Sequence, residues 1–202
     1  MADVPTIERV LKLAREAGTV TTRQIVAVGV HRQVLTRLVE TGQLVRISRG
    51  VYALPEHPVT ESHGLALVAA SVPDGVVCLI SALAYHGIGT QLPHEVWIAL
   101  DRRAHRPTLE YPPLRVVRFT GEALTEGVEE HPIEGRSVRI YCAAKTIADS
   151  FKYRNKIGIE VALEALREGW KARAFTMDQI ERYAAICRVE RVMKPYLEAL
   201  VG

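Results

Sequence analysis

The sequence predicts an α+β protein: an N-terminal winged helix-turn-helix followed by a mixed C-terminal domain with a small β-sheet and several helices. Three observations carry this expectation. Glycine-closed stretches with helical spacing fill residues 6–42. Two strand-like runs, 44–48 and 51–54, follow directly and turn at Arg49-Gly50. Past Pro55 and Pro58, strand-like and helix-like stretches alternate without any repeat. Three helices and a hairpin in succession are the order of a winged helix.

The elements follow in chain order. Thr6 can cap a first helix, with Ile7, Val10, Leu11 and Ala14 on one face and Gly18 at its end. Thr21 or Thr22 caps a short second helix, TRQIVAV, stopped by Gly29. A third helix spans 31–41 and ends at Gly42. Val45, Ile47, Val51 and Tyr52 are expected to anchor the hairpin, with Gly50 allowing its tight turn. The two prolines mark a boundary, giving a DNA-binding domain over 1–56 and a second domain over 60–202. In the second domain, helices are expected at 61–71 and 77–86 around a Pro73-Asp74-Gly75 turn. Strands are expected at 95–100, 114–119 and 138–141. The segment 101–113 reads as a basic loop and 128–135 as a turn-rich connection. Helices at 143–152, 158–168, 177–185 and 189–201 complete the chain, with Pro195 as a bend.

Composition restricts the function classes. The chain has 202 residues, 48% of them hydrophobic and 24% charged, an ordinary globular balance. Net charge is only +3, but the charge is unevenly spread. Arg23, Arg32, Arg37, Arg46 and Arg49 face a single acid, Glu40, within one short segment. Such a patch is an electrostatic footprint for nucleic acid. Cys78, Cys142 and Cys187 are far apart and lack zinc spacing, so they read as small buried hydrophobes. The first ten residues lack a signal-peptide pattern, and the longest apolar run, 76–85, is half of the roughly 20 residues a membrane span needs. A soluble cytoplasmic protein with no membrane partner is expected.

The third helix explains the basic segment. Val34, Leu35, Leu38 and Val39 fall on one side and can glue the helix to its scaffold. Gln33, Thr36, Arg37 and Glu40 fall on the other, with His31 and Arg32 at the N-terminal end. A recognition helix needs this division, and Arg and Gln can bond guanine and adenine edges in the major groove. Arg32, Gln33, Thr36 and Arg37 are therefore the candidate base readers, with His31 beside them. Arg46, Ser48 and Arg49 sit near the wing tip, where an arginine can reach a phosphate or a narrow minor groove. Thr22 and Arg23, at the start of the second helix, could hold phosphate through a hydroxyl, backbone N–H groups and charge. The plainer alternative is a surface helix with solvated arginines, or a protein-binding module.

Lys145 and Asp149 stand four apart, which is more often a structural ion pair worth a few tenths of a kcal/mol than a catalytic one. Arg102, Arg103 and Arg106 form a basic loop run, and Lys152, Arg154 and Lys156 cluster near a helix end. Either group could make a second nucleic-acid or partner contact by releasing counterions. His63, His86 and His94 lack the company a metal would need. Ser81 has no base near it in sequence, and no P-loop, GxGxxG, G-x-S-x-G or HExxH occurs. No catalytic residue, metal or cofactor is expected, and the protein is read as not an enzyme.

The segment 18–55 resembles the winged helix of AbiEi-family antitoxins of type IV toxin–antitoxin systems. The run L-x-R-L-x-x-x-G-x-L-x-R-I-x-R-G-x-Y, starting at Leu35, carries the likeness. VCLISALAYHGI (77–88) looks like that family's buried helix after the linker. AAKTIADSFKYRNKIGIEVALEALREG (143–169) is similar to its C-terminal motif, with Lys145, Thr146, Asp149, Phe151, Arg154 and Gly158 in place. The resemblance implies an antitoxin that represses its own operon by binding promoter inverted repeats, with two copies on double-stranded DNA. It implies a nucleotidyltransferase-like toxin as functional partner, without direct contact being required. Two other readings stay open: a regulator of another operon with no toxin, and an antitoxin acting by direct protein contact.

Overall fold

A computed structural model describes residues 4–48, 50–56, 60–109 and 111–201. Its elements fall into two compact units. The first comprises Met1–Asp74, Pro107–Pro113 and His131–Val138, and the second Gly75–Arg106, Leu114–Glu130 and Arg139–Gly202. The expected boundary at 56–60 thus lies inside the first unit, because the helix after the linker joins the N-terminal elements.

The first unit begins with α1 (Val4–Ala17), β1 (Thr19–Thr21), α2 (Thr22–Ala27) and α3 (Gln33–Glu40). The strands β2 (Val45–Ser48) and β3 (Val51–Ala53) and the helix α4 (His63–Ser71) follow. The helix α1 starts before Thr6, so Thr6 is not its cap. A small sheet has the order β1-β3-β2, all antiparallel. The strand β1 was not expected; its Thr19, Val20 and Thr21 pair with Ala53, Tyr52 and Val51. Val10, Ala14, Ile25, Val34, Leu35, Leu38 and Leu44 form one buried core. Val51 joins the buried set, but Val45 is 39% exposed and does not anchor the hairpin as expected. Pro58 lies outside the described residues.

The tip of a later hairpin, 131–138, also belongs to this unit. Glu134 and Gly135 both take positive φ, 49° and 74°, which suits a tight hairpin turn. A Cβ on Gly135 would stand 2.8 Å from the Glu16 carbonyl oxygen, so only glycine lets the tip approach that close. Glu134 accepts from the Thr60 N–H and hydroxyl at 2.8 Å each, and its Oε2 lies 2.7 Å from His63 Nδ1. Burial alone would raise the Glu134 carboxyl. The bonds from Thr60 and His63 outweigh it and hold the carboxyl below its ordinary range.

The second unit contains β4 (Val76–Val77), α5 (Leu79–Tyr85), β5 (Val96–Asp101), β6 (Leu114–Phe119) and α6 (Glu122–Thr125). Then come β7 (Val128–Ile133) and β8 (Arg136–Tyr141), whose residues 131–138 count with the first unit, and α7 (Ala143–Lys152), α8 (Arg154–Ile157), α9 (Ile159–Lys171), α10 (Met177–Cys187) and α11 (Glu190–Val201). The sheet order is β6-β5-β4-β8-β7. Two expectations fail here. The segment 128–135 is mostly strand, and the apolar run at 76–77 opens as strand before α5 begins. Pro195 lies inside α11.

The helix α7 is buried on nearly every side, including Lys145, Thr146, Asp149 and Ser150. Its polar groups bond within the protein, as buried ones must. Thr146 donates to the Tyr141 carbonyl at 3.1 Å and Ser150 to the Thr146 carbonyl at 2.9 Å. Ser81 and His86 are likewise structural. Ser81 Oγ receives the Trp97 N–H at 2.9 Å, and His86 Nε2 lies 2.7 Å from the Tyr141 carbonyl oxygen. Among the described residues, no helix is long and apolar enough to cross a membrane, and no cluster of three metal-ligating side chains forms.

Candidate nucleic-acid interface

The helix α3 forms because an apolar row repeats at its period between two glycines of positive φ, Gly29 and Gly42. Val34, Leu35 and Leu38 are buried, while Gln33, Thr36, Arg37 and Glu40 are exposed on the other face. Arg32 is the N-cap residue, and His31 Nδ1 accepts the Gln33 N–H at 3.3 Å. Both are exposed. The sequence-expected polar face therefore stands together on one short, rigid element.

The start of α2 is capped by one of its two expected candidates. Thr21, not Thr22, is the N-cap, in a reciprocal capping box with Gln24. Gln24 N–H donates to Thr21 Oγ1 at 3.1 Å, and Gln24 Oε1 accepts the Thr21 N–H at 2.9 Å. The Thr22 N–H goes to the Gly50 carbonyl at 2.9 Å, and its hydroxyl leans on the same oxygen at 3.5 Å. The Thr21, Thr22 and Gln24 N–H groups are therefore bonded inside the fold. Arg23 remains exposed. The box has a measurable value: Thr21→Ala is expected to lower stability by about 1 kcal/mol, read as a shift in urea midpoint. No shift would mean that the wing contact alone fixes α2.

The hairpin expected to form a wing is β2 and β3. Arg46 is exposed and opposite Tyr52, with an irregular register between Arg46 and Ser48. Ser48 ends β2. Arg49 lies outside the described residues.

The second unit carries the other two expected basic groups. Arg102, Arg103 and Arg106 are exposed after β5, in a segment without helix or strand. Lys152 Nζ lies 5.9 Å from the Phe119 ring centroid, and Lys156 Nζ lies 5.5 Å from that of Tyr153. Arg154 donates to the Phe151 carbonyl at 2.9 Å, a C-terminal capping contact. Phe119 and Tyr153 are themselves in ring contact, so Lys152 and Lys156 share one aromatic base at the end of α7.

Two features escaped the sequence reading. Arg136, on β8, donates through Nε to Thr19 Oγ1 and through Nη2 to the Thr19 carbonyl, tying the hairpin tip to β1. The sequence signal was only an arginine beside a glycine turn. Lys145 and Asp149 form the structural ion pair expected, with Nζ 2.5 Å from Oδ2, but their full burial carried no sequence signal.

Comparison with known proteins then bears on the helices and the wing. Residues 8–55 match the family model of the AbiEi antitoxin, a transcriptional regulator. The matched segment holds most of α1, all of α2 and α3 and both strands of the hairpin. The structure of the RV2827C protein from Mycobacterium tuberculosis is similar in fold, with a TM-score of 0.56 at 15% identity. That likeness covers 90% of this chain and 71% of the other, so it extends well beyond the AbiEi segment. A search of curated proteins finds no match.

Proposed function

We propose that the chain is the DNA-binding antitoxin of a type IV toxin–antitoxin pair and represses its own operon. Its first 56 residues act as a winged helix-turn-helix, and 60–202 as the antitoxin and regulatory part. The helix α3 enters the major groove, where Arg32, Gln33, Thr36 and Arg37 read base edges beside His31. Thr22, Arg23, Arg46, Ser48 and Arg49 hold the phosphate backbone. The single observation that carries this reading is the two-sided α3. Its apolar row is locked into the core, and its long polar side chains are exposed on a regulator-family module. Arg102, Arg103, Arg106, Lys152, Arg154 and Lys156 add a sequence-independent grip on nucleic acid. Two copies on inverted repeats, a cytoplasmic site of action and a nucleotidyltransferase-like toxin that need not be touched complete the proposal.

The test is a fluorescence-anisotropy titration with the duplex upstream of the chain's own gene, against a scrambled duplex, at two salt concentrations. Binding to the native duplex is expected to be at least about a thousandfold tighter. Equal, salt-sensitive affinity for both would reduce the arginines to a phosphate grip and end the repressor reading.

A further inference from the structure

The first unit holds a cleft of about 650 Å³ whose lining includes Thr22, Arg23, Gly50, Ser71, Thr108 and Arg136. Among the described residues, two guanidiniums line it and no carboxylate does. Three observations mark it as a seat for an anion. Arg136 is half-buried, yet its guanidinium donates only to neutral acceptors: the hydroxyl and carbonyl of Thr19, and Gln24 Oε1 at 3.4 Å. Burial pulls its pKa below the usual range, and among the described residues no acid offsets it. A sheltered cation without a counter-charge is an unfavourable arrangement until an anion arrives. Arg23 is exposed on the same cleft, and among the described residues its side chain has no hydrogen bond or ion pair. Ser71 lines the cleft, and among the described residues its buried Oγ has no hydrogen-bond partner.

We propose that this cleft binds a phosphate dianion, with Arg136 and Arg23 as its counter-charges and Ser71 Oγ as a third donor. Two charges balance two cations, and the planar guanidinium fork matches phosphate oxygens two at a time. The phosphate comes either from the backbone of a bound duplex or from a free phosphorylated small molecule. Only the first source rests on the function proposed above.

The experiment uses the full chain and inorganic phosphate, with chloride at equal ionic strength as reference. Phosphate is expected to raise the melting midpoint in a saturable way. Ser71→Ala should leave the phosphate-free midpoint unchanged or higher, because its hydroxyl makes no bond to lose. It should cut the phosphate-dependent shift at least by half, and Arg136→Lys should do the same by removing the fork. The source is then read from the upstream duplex. If phosphate competes with it, or Ser71→Ala weakens native and scrambled duplexes alike, the seat takes a backbone phosphate. If phosphate binds and leaves duplex affinity unchanged or raised, the ligand is a free one. A wild type that shows no phosphate shift, together with a Ser71→Ala variant of unchanged duplex affinity, overturns the proposal. So does a phosphate shift that both variants retain in full. Loss of specific DNA binding with a retained, Ser71-dependent phosphate shift would end the repressor reading and leave the cleft standing.

Discussion

Lys145→Met is expected to destabilise the protein by about 3–5 kcal/mol. The ammonium is sealed in the second unit, 2.5 Å from Asp149 Oδ2, with the Tyr141 ring centroid 4.1 Å away and that of Phe119 at 4.8 Å. Even its stem is enclosed: a Cβ on Gly127 would stand 2.8 Å from the Lys145 Cβ. Methionine can fill the space, so the cost is not a cavity. It is Asp149, left fully buried with the Cys187 thiol at 3.1 Å as its remaining side-chain donor among the described residues. Removing one partner of a buried pair strands the other charge, while removing both with apolar groups is often neutral or better. The double variant Lys145→Met with Asp149→Leu should therefore recover most of the loss. A double variant no more stable than the single would show that the two charges are not energetically coupled.

The pH dependence of that single variant has a definite sign. Burial raises the Asp149 carboxyl above its ordinary 3.8, against the opposing pull of Lys145 and the Cys187 hydrogen bond. A carboxyl whose folded pKa lies above the unfolded one binds its proton more tightly in the folded state. Stability from that group is thus greatest below 3.8 and is lost as pH rises through the folded value. Without Lys145 the folded value climbs further, and the loss continues to higher pH. The deficit of Lys145→Met relative to wild type should narrow as pH falls, measured as urea midpoints across the acid range. A deficit constant with pH would mean that packing, not the stranded carboxyl, carries the cost.

Which parts of this were legible in the sequence follows from how far each signal reaches along the chain. The helix α3 and the wing were readable because their cues are local: Val34, Leu35 and Leu38 at helical spacing, and Arg49-Gly50 between two β-rich runs. The strand β1 has only three residues and exists through its pairing with β3, so Gly18 to Thr22 read as a turn between helices. The strand β7 lies at the edge of its sheet and buries Ile133 alone, so its acids and Pro132 imitate a loop. An edge strand tolerates proline because one row of its backbone groups needs no partner. Lys145 and Asp149 were readable as a pair but not as a buried one, since nothing within four residues says that a helix will be covered on all sides. Arg136 meets Thr19 across 117 positions of chain, which no window of sequence can see.

Arg37→Ala is the companion test at the interface, expected to weaken binding to the upstream duplex by about 1–3 kcal/mol, roughly 5- to 150-fold. The fold should not notice. Arg37 is exposed, and among the described residues its side chain has no hydrogen bond or ion pair. Alanine is also a slightly better helix former than arginine, so stability should stay within about 0.5 kcal/mol. An affinity loss can then be assigned to a missing contact with DNA rather than to a damaged α3. Its distribution over sequences identifies that contact. A bidentate bond to a guanine edge is lost only where the guanine is, so the native duplex should suffer and the scrambled one should not. Arg23→Ala supplies the contrast: a phosphate contact should weaken both duplexes alike and reduce the salt slope by about one. Equal losses on both duplexes for Arg37→Ala would move Arg37 from the base edges to the backbone. No loss on either would remove the exposed face of α3 from the interface, and with it the observation on which the repressor reading rests.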